Sequence, residues 1–283
     1  MEKHNIDVTH RILKDTDIEY KQFLKNIKLD TKMLIYYNGT EFIAIPLNLF
    51  QTYQVIWDKY NEYDPSNHKL ITQYDISIIL CPFSLISCVI QGKISISKYI
   101  ENNVLIMQNE KGDLINISSS NILSEESSGT LDIEEIKPKR WETKLANFRS
   151  VMSLYPDCKF LTQISSNNLK PIIKFDNYLS NNYVKFNLKS KSSELIHPKT
   201  LVYVIQYKSQ QALSANQSTK YSIVIGSNSS KKESAGFNLS QNQMNKYFEG
   251  SDQKIIEKNG FVIPALWFVC ESLYPNAKII NLA

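Results

Sequence analysis

Cys81 is the side chain of this sequence that its pattern best places to act as a nucleophile or a metal ligand. It follows the apolar run Ile76–Leu80 and precedes Pro82. A strand is expected to end at Cys81, because proline lacks the N–H that a sheet ladder needs. A reactive thiol needs a nearby cation, histidine or helix N-terminus that lowers its pKa. The sequence neighbours of Cys81 are apolar, and burial among them would raise the pKa. We therefore expect a buried structural thiol.

The other cysteines and the histidines do not predict a metal site. Cys81 and Cys88 are seven residues apart, an odd offset that puts them on opposite faces of any continuous strand and that is not the spacing of a zinc knuckle. The remaining cysteines, Cys158 and Cys270, are far apart, as is typical of reduced and buried thiols in a long chain. The four histidines show neither metal-ligand nor triad spacing; they are His4, His10, His68 and His197. We predict no metal ligands, and no cofactor can be identified.

Composition argues against several classes of function. The chain has 8 glycines, without a G-x-G-x-x-G or Walker pattern, which argues against the common nucleotide-binding enzymes. Lys and Arg total 32 against 28 Asp and Glu, a net charge of +4 that is spread over short clusters. A nucleic-acid groove usually has a denser basic stripe. The acids Asp132, Glu134 and Glu135 stand beside Lys137–Arg140, which is more typical of an exposed mixed-charge surface than of a catalytic carboxylate pair.

The sequence also bears on location. Its first residues, 1–7, are polar and lack the apolar run of a secretory signal. No window reaches 18 apolar residues, so no membrane span is expected. We predict a cytoplasmic protein whose partner, a small molecule or another protein, the sequence does not identify.

Residues 75–92 predict the centre of the fold. Ile76, Ile78 and Leu80 alternate with the period of a strand, in the part of the chain that is densest in β-branched residues. The runs 32–37 and 41–45 flank Asn38-Gly39, which predicts a hairpin with a type I′ turn. A second hairpin is expected from the runs 104–107 and 114–117.

Three helices are expected. Asp17 can cap the first, which would end near Leu29. From Trp141 to Tyr155 apolar residues recur at three and four positions, which predicts a helix with one buried stripe. Another helix is expected near Trp267. Both later helices lead into similar segments, 153–161 and 272–280, each with a Leu-Tyr-Pro step.

These elements together predict an α+β protein, with a mainly antiparallel β-sheet, packed helices and two unequal related halves. The domain boundaries follow the same elements. A polar lead and helix occupy 1–30, and a first β-rich half with the Cys-Pro motif occupies 31–162. A connecting region occupies 163–199, and a second, shortened half occupies 200–283. In the second half we expect a hairpin from 200–207 and 211–213, with 221–226 in the place of the central strand.

The order of seven short motifs resembles the domain of unknown function 3179 family. They are Ala44-Ile45-Pro46, Leu80-Cys81-Pro82-Phe83, Leu105-Ile106-Met107, Trp141, Tyr155-Pro156-Asp157, Trp267-Phe268 and Tyr274-Pro275. The resemblance covers about residues 33–280.

The departures from that family lie at polar positions. The His-Glu of the family aligns with Tyr53-Gln54, its Asn-Asp with Trp57-Asp58, and the glycine after its Cys-Pro with Leu85. The apolar frame is kept, while most side chains able to do chemistry are replaced. The first hypothesis is therefore a non-enzymatic binding or structural protein. The alternative is a thiol- or metal-dependent enzyme or redox protein that uses Cys81, with Asp58 as the surviving polar partner.

Overall fold

The computed structural model of the chain describes residues 12–13, 23–51, 55–118, 121–123, 138–161, 178–179, 196–208, 219–226 and 261–282. Its α-helices with defined bounds are α1 (Phe148–Leu154) and α2 (Trp267–Leu273), and a 3-10 helix covers Leu47–Gln51. In these ranges no helix is long and apolar enough to cross a membrane.

Strands make up most of the regular structure. They are β1 (Ile12–Leu13), β2 (Lys32–Tyr37), β3 (Phe42–Pro46), β4 (Val55–Tyr63), β5 (Leu70–Leu80), β6 (Ser87–Gln91), β7 (Ser95–Glu101), β8 (Val104–Gln108), β9 (Leu114–Asn116), β10 (Asn121–Leu123), β11 (Arg140–Trp141), β12 (Thr143–Asn147), β13 (Lys159–Leu161), β14 (Leu201–Lys208), β15 (Thr219–Gly226), β16 (Phe261–Leu266) and β17 (Lys278–Leu282).

Within the described ranges these strands form four sheets. The N-terminal sheet has the order β1-β13-β3-β2-β12, and the central sheet has the order β11-β6-β5-β4. The hairpin sheet is β10-β9-β8-β7, and the C-terminal sheet is β16-β14-β15-β17. Most neighbouring strands are antiparallel; β13 runs parallel to β3, and β17 parallel to β15.

The predicted α+β class with packed helices is wrong, because the protein is β-rich and α1 and α2 are only seven residues each. The helix expected from Trp141 begins only at Phe148. Residues Thr143–Asn147 instead form β12, which pairs with β2. Asn147 then caps α1, since its side chain accepts a hydrogen bond from the backbone N–H of Ser150 at 2.8 Å. Pairing with a neighbouring strand outweighed the helical spacing of the apolar residues.

The predicted central strand is confirmed as β5, which lies between β4 and β6. Its residues Ile76–Leu80 are fully buried, and the strand ends at Leu80, immediately before the Cys81-Pro82 step. The hairpin of β8 and β9 is also confirmed.

The hairpin of β2 and β3 is confirmed, but its predicted type I′ turn is wrong. Tyr37 pairs with Phe42, so the turn has four residues. Within it only Gly39 has a positive φ, of 91°, whereas a type I′ turn needs two such residues. The Asn38 side-chain oxygen accepts backbone N–H bonds from residues 40 and 41 and so holds this wider turn. A two-residue turn with two positive φ angles joins β7 to β8, at residues 102–103.

Two groups of strands repeat one topology. The first unit consists of β2, β3, β12, α1 and β13, and the second of β14, β15, β16, α2 and β17. In each unit a hairpin is flanked on one side by the antiparallel strand that leads into the helix. On the other side the strand after the helix returns parallel to the hairpin. The segment 221–226 lies in β15, the second strand of a hairpin with β14, and is therefore the equivalent of β3 and not of the central strand β5. Whether the units arose by duplication stays a prediction.

Backbone hydrogen bonds at the two helices match one for one. The first N–H of α1 donates to Thr31, and the first N–H of α2 donates to Thr200, at 2.8 and 2.9 Å. After each helix comes a tyrosine with nearly the same backbone angles, φ −133° at Tyr155 and φ −130° at Tyr274. Each tyrosine precedes a proline, which ends the helix.

The two units contact the rest of the protein through opposite faces. In the first unit the helix-bearing face forms a small separate core, which includes Met33 and Phe148. Its other face, with Leu34 and Tyr36, joins the main core. In the second unit the helix-bearing face joins the main core, so that residues 267–270 of α2 are all fully buried. The helix of the first unit therefore needs apolar residues on one side only. The helix of the second unit is surrounded by the core and needs them on all sides.

Some predictions lie outside the described residues. They concern the cap at Asp17, the acids Asp132, Glu134 and Glu135, and the strand at 211–213. Between residues 17 and 29 the structure describes helix only at 23–26.

Candidate functional site

Cys81 begins a tight turn that joins β5 to β6. Its backbone N–H donates to the carbonyl of Ile86, and its carbonyl accepts the N–H of Leu85, both at 2.9 Å. Leu85 has a φ of 56°, a positive value that residues other than glycine seldom adopt. The turn therefore holds Cys81 in one position by backbone bonds on both sides.

The sulfur of Cys81 is enclosed. The residue is 0% exposed, and its thiol donates to the carbonyl of Asn103 at 3.5 Å. The backbone N–H of Leu105 donates to the sulfur at 3.4 Å. Burial raises the pKa of the Cys81 thiol, although the Ser84 hydroxyl and neighbouring backbone N–H groups oppose that rise. The thiol links the central sheet to the hairpin sheet and stays protonated at neutral pH.

Asp58, the other predicted site residue, has a different partner. It lies on β4, and its carboxylate accepts a hydrogen bond from the hydroxyl of Tyr36 at 2.6 Å. Burial, together with that carboxylate, holds the pKa of Tyr36 well above its ordinary value. Asp58 is paired with Ile76, and Cys81 lies five residues beyond Ile76, which is about 16 Å along a strand. The structure does not bring Asp58 and Cys81 together.

The other candidate side chains that the structure describes do not form a metal-binding group either. His68 lies in the turn between β4 and β5, and His4 and His10 are outside the described residues. Cys88 is fully buried on β6. In the portion of the chain that the structure describes, no group of three or more His, Cys, Asp or Glu side chains could hold a metal ion.

An arginine that the sequence analysis did not single out connects three sheets. Arg140 donates from Nη2 to the carbonyl of Ile117 at 2.8 Å. Its guanidinium carbon lies 4.4 Å from the centre of the Phe261 ring, in the C-terminal sheet. Burial raises the pKa of the Cys88 thiol, and the positive charge of Arg140 opposes that rise. These contacts join residues far apart in sequence, so local patterns could not have found them.

A second feature is a two-stranded extension of the central sheet. Strand β6 pairs with β5 only over Ile76–Leu80, so β4 and β5 continue as a pair across residues 59–75, which we call the ribbon. Tyr60 stacks on Trp141 with ring centres 4.4 Å apart. The Lys139 ammonium lies 4.5 Å from the Tyr74 ring centre and bonds Glu62. These contacts hold the base of the ribbon.

The end of the ribbon exposes apolar side chains. Leu70 is 52% exposed and Ile71 is 62% exposed, and Tyr63, paired with Leu70, is 38% exposed. The pairing shifts at Glu62 and Tyr63, which marks a bulge. A two-stranded ribbon is marginally stable alone and gains from packing against another surface.

The described residues therefore offer two candidate sites, which are the enclosed thiol of Cys81 and the apolar end of the ribbon.

No family model, no curated protein and no solved structure matches the chain.

Proposed function

We propose that this chain is a non-enzymatic protein that works by binding another protein. The supporting observation is the enclosure of Cys81, whose sulfur is 0% exposed and is used in hydrogen bonds to the hairpin sheet. A nucleophile must reach its substrate, and a buried thiol with a raised pKa is inert. Asp58, the residue that would assist it, bonds Tyr36 instead.

The proposed contact surface is the end of the ribbon. Leu70 and Ile71 expose aliphatic side chains at this end, and Tyr63, which is paired with Leu70, adds an amphipathic ring. Burial of apolar area favours association, and tyrosine is among the residues that are enriched in protein contacts. The Trp141 and Lys139 contacts at its base present this end on a fixed support.

Thiol labelling tests the non-enzymatic part of the proposal. We expect Cys81 in the folded protein to react with iodoacetamide at neutral pH at least about 100-fold more slowly than in the unfolded chain, because labelling requires local opening. Peptide mapping by mass spectrometry measures the rate at each cysteine. In the purified protein, metal analysis should find no stoichiometric zinc, copper or iron. Rapid alkylation of Cys81 or a bound stoichiometric metal would contradict the proposal.

Site-specific crosslinking tests the ribbon. A photoreactive residue at position 71 is expected to crosslink a discrete protein in cells, and the added substitution Leu70→Lys should reduce that product at least about ten-fold by placing a charge in an apolar contact. The matched control carries the photoreactive residue at position 154, where Leu154 is 53% exposed on α1. Equal products from both positions would show that the ribbon end has no special role.

The alternative function keeps Cys81 as a reactive thiol. It is favoured by the hydrogen-bond donors around the sulfur, which include the Ser84 hydroxyl and the backbone N–H of Leu105. These donors would stabilise a thiolate.

A distant relation to the domain of unknown function 3179 family also stays a proposal, supported by the order of the seven motifs. Two of those motifs, Tyr155-Pro156 and Tyr274-Pro275, fall at equivalent turns of the two units. The cytoplasmic location stays a prediction.

A further inference from the structure

The Asn38-Gly39 pair in the turn between β2 and β3 has a chemical reactivity of its own. In such a pair the backbone nitrogen of the glycine attacks the side-chain carbonyl carbon of the asparagine, since glycine has no Cβ that hinders the approach. A new C–N bond forms, the C–N bond of the side-chain amide breaks, and ammonia leaves a cyclic succinimide. Water then opens this ring to aspartate or isoaspartate. The reaction needs no reactant other than water.

The closed turn fixes Asn38 through both its backbone and its side chain. Its backbone N–H donates to the carbonyl of Glu41 at 3.1 Å, and its own carbonyl accepts the N–H of Asn61 at 2.8 Å. Its side-chain oxygen accepts the backbone N–H groups of Thr40 and Glu41, at 3.0 and 2.9 Å. Ring closure at residue 39 would draw that oxygen away from both N–H groups. The closed turn therefore opposes the reaction.

The glycine that would attack is fixed as well. A Cβ at Gly39 would lie 1.7 Å from the backbone oxygen of Asn61, so the turn packs closely against β4. The Tyr37 hydroxyl donates to the carbonyl of Gly39 at 2.8 Å, and the Asn61 side chain donates to the Thr40 hydroxyl at 3.3 Å. The peptide between residues 38 and 39 can rotate toward the side chain only after the turn has separated from β4.

We propose that Asn38 is a latent modification site, which is protected in the closed turn and forms a succinimide when the turn separates from β4. Local opening of a turn costs less free energy than global unfolding, so the reaction proceeds in a protein that is otherwise folded. The isoaspartate product has one more carbon in its main chain, for which the close contact with Asn61 leaves no room. A brief opening of the turn thus becomes permanent. This inference does not depend on binding through the ribbon end.

Peptide mapping by mass spectrometry tests the protection of Asn38. The unaltered protein is incubated in mildly alkaline buffer, both folded and unfolded in urea, and aspartate and isoaspartate are measured at positions 38 and 259. Asn259-Gly260, the second Asn-Gly pair of the sequence, is the internal reference, because both pairs should react at similar rates in the unfolded chain. Asn38 is expected to react at least about ten-fold more slowly in the folded protein than in urea. Equal rates in the two conditions would overturn the proposal.

Two variants release the turn and keep the Asn38-Gly39 pair. Asn61→Pro removes the N–H that bonds the carbonyl of Asn38, and an edge strand such as β4 tolerates proline. Glu41→Pro removes one of the N–H groups that the side-chain oxygen accepts. Each is expected to raise the rate at Asn38 at least about five-fold, with circular dichroism showing a folded protein.

Lys59→Pro is the matched control for the proline at position 61. It places the same ring two residues earlier, where the N–H points to the same side of β4, and it should leave the rate at Asn38 unchanged. Folded variants at positions 61 and 41 that leave the rate at Asn38 unchanged would overturn the proposal. The comparison of folded and unfolded protein decides it if neither variant folds.

Discussion

Replacing Phe268 by arginine is expected to unfold the protein or to lower its free energy of unfolding by more than about 4 kcal/mol. Phe268 is 0% exposed in α2, on the helix-bearing face that joins the main core. An arginine there would bury a charge without a partner and would also displace apolar packing. Urea unfolding followed by circular dichroism measures the change.

The first unit supplies a matched control. Phe268 donates its backbone N–H to Pro198, and Arg149 makes the equivalent bond to Leu29 at the start of α1. Arg149 is exposed, because α1 faces solvent on that side. Arg149→Phe is therefore expected to change the free energy of unfolding by less than about 0.5 kcal/mol. Similar losses from both substitutions would contradict the finding that the two units pack through opposite faces.

Gly39→Ala is expected to lower the free energy of unfolding by about 3 kcal/mol or more. A Cβ at position 39 would lie 1.7 Å from the backbone oxygen of Asn61. The turn is also bonded there, since the N–H of Asn61 donates to the carbonyl of Asn38 at 2.8 Å. The hairpin turn would have to leave the edge of β4, and the φ of 91° adds backbone strain.

Gly112→Ala separates the two causes. Gly112 has nearly the same φ, 92°, but a Cβ there meets only the end of the Gln108 side chain, at 3.6 Å. We expect it to cost about 1 kcal/mol, the strain alone. Denaturant unfolding of both variants measures the loss of unfolding free energy in each. The additional loss at Gly39 is the cost of the contact with β4. Equal losses would show that the turn does not approach β4 as closely as described.

The strands that were predictable are those with strong local patterns. β5 combines alternation with β-branched residues, and β2 and β3 flank a turn sequence. The segment around β12 was misread because Leu145 and Phe148 have helical spacing while pairing with β2 decided the structure. In α2 the run Trp-Phe-Val-Cys is apolar on all sides, which is typical of a buried helix and could have distinguished it from α1.

The candidate site was less predictable because it depends on contacts between distant residues. Burial of Cys81 follows from its apolar neighbours, so local sequence suffices there. The Tyr36 hydroxyl reaches Asp58, which lies 22 residues later in the chain, and Arg140 lies on β11, beside the strand β6 that holds Cys88. Neither pair of residues has a sequence spacing that is typical of a contact, so neither could be recognised from a single sequence.

The order of synthesis has a consequence for how the first unit forms. Its hairpin of β2 and β3 is complete by Pro46, but the strands that flank it, β12 and β13, follow the central and hairpin sheets in the chain. At about 5–20 residues per second, a ribosome needs about 5–20 s to make the intervening segment. Contacts between such distant segments also form slowly during folding. The first unit, although it holds the earlier strands, can therefore close only after the strands inserted within it have been made.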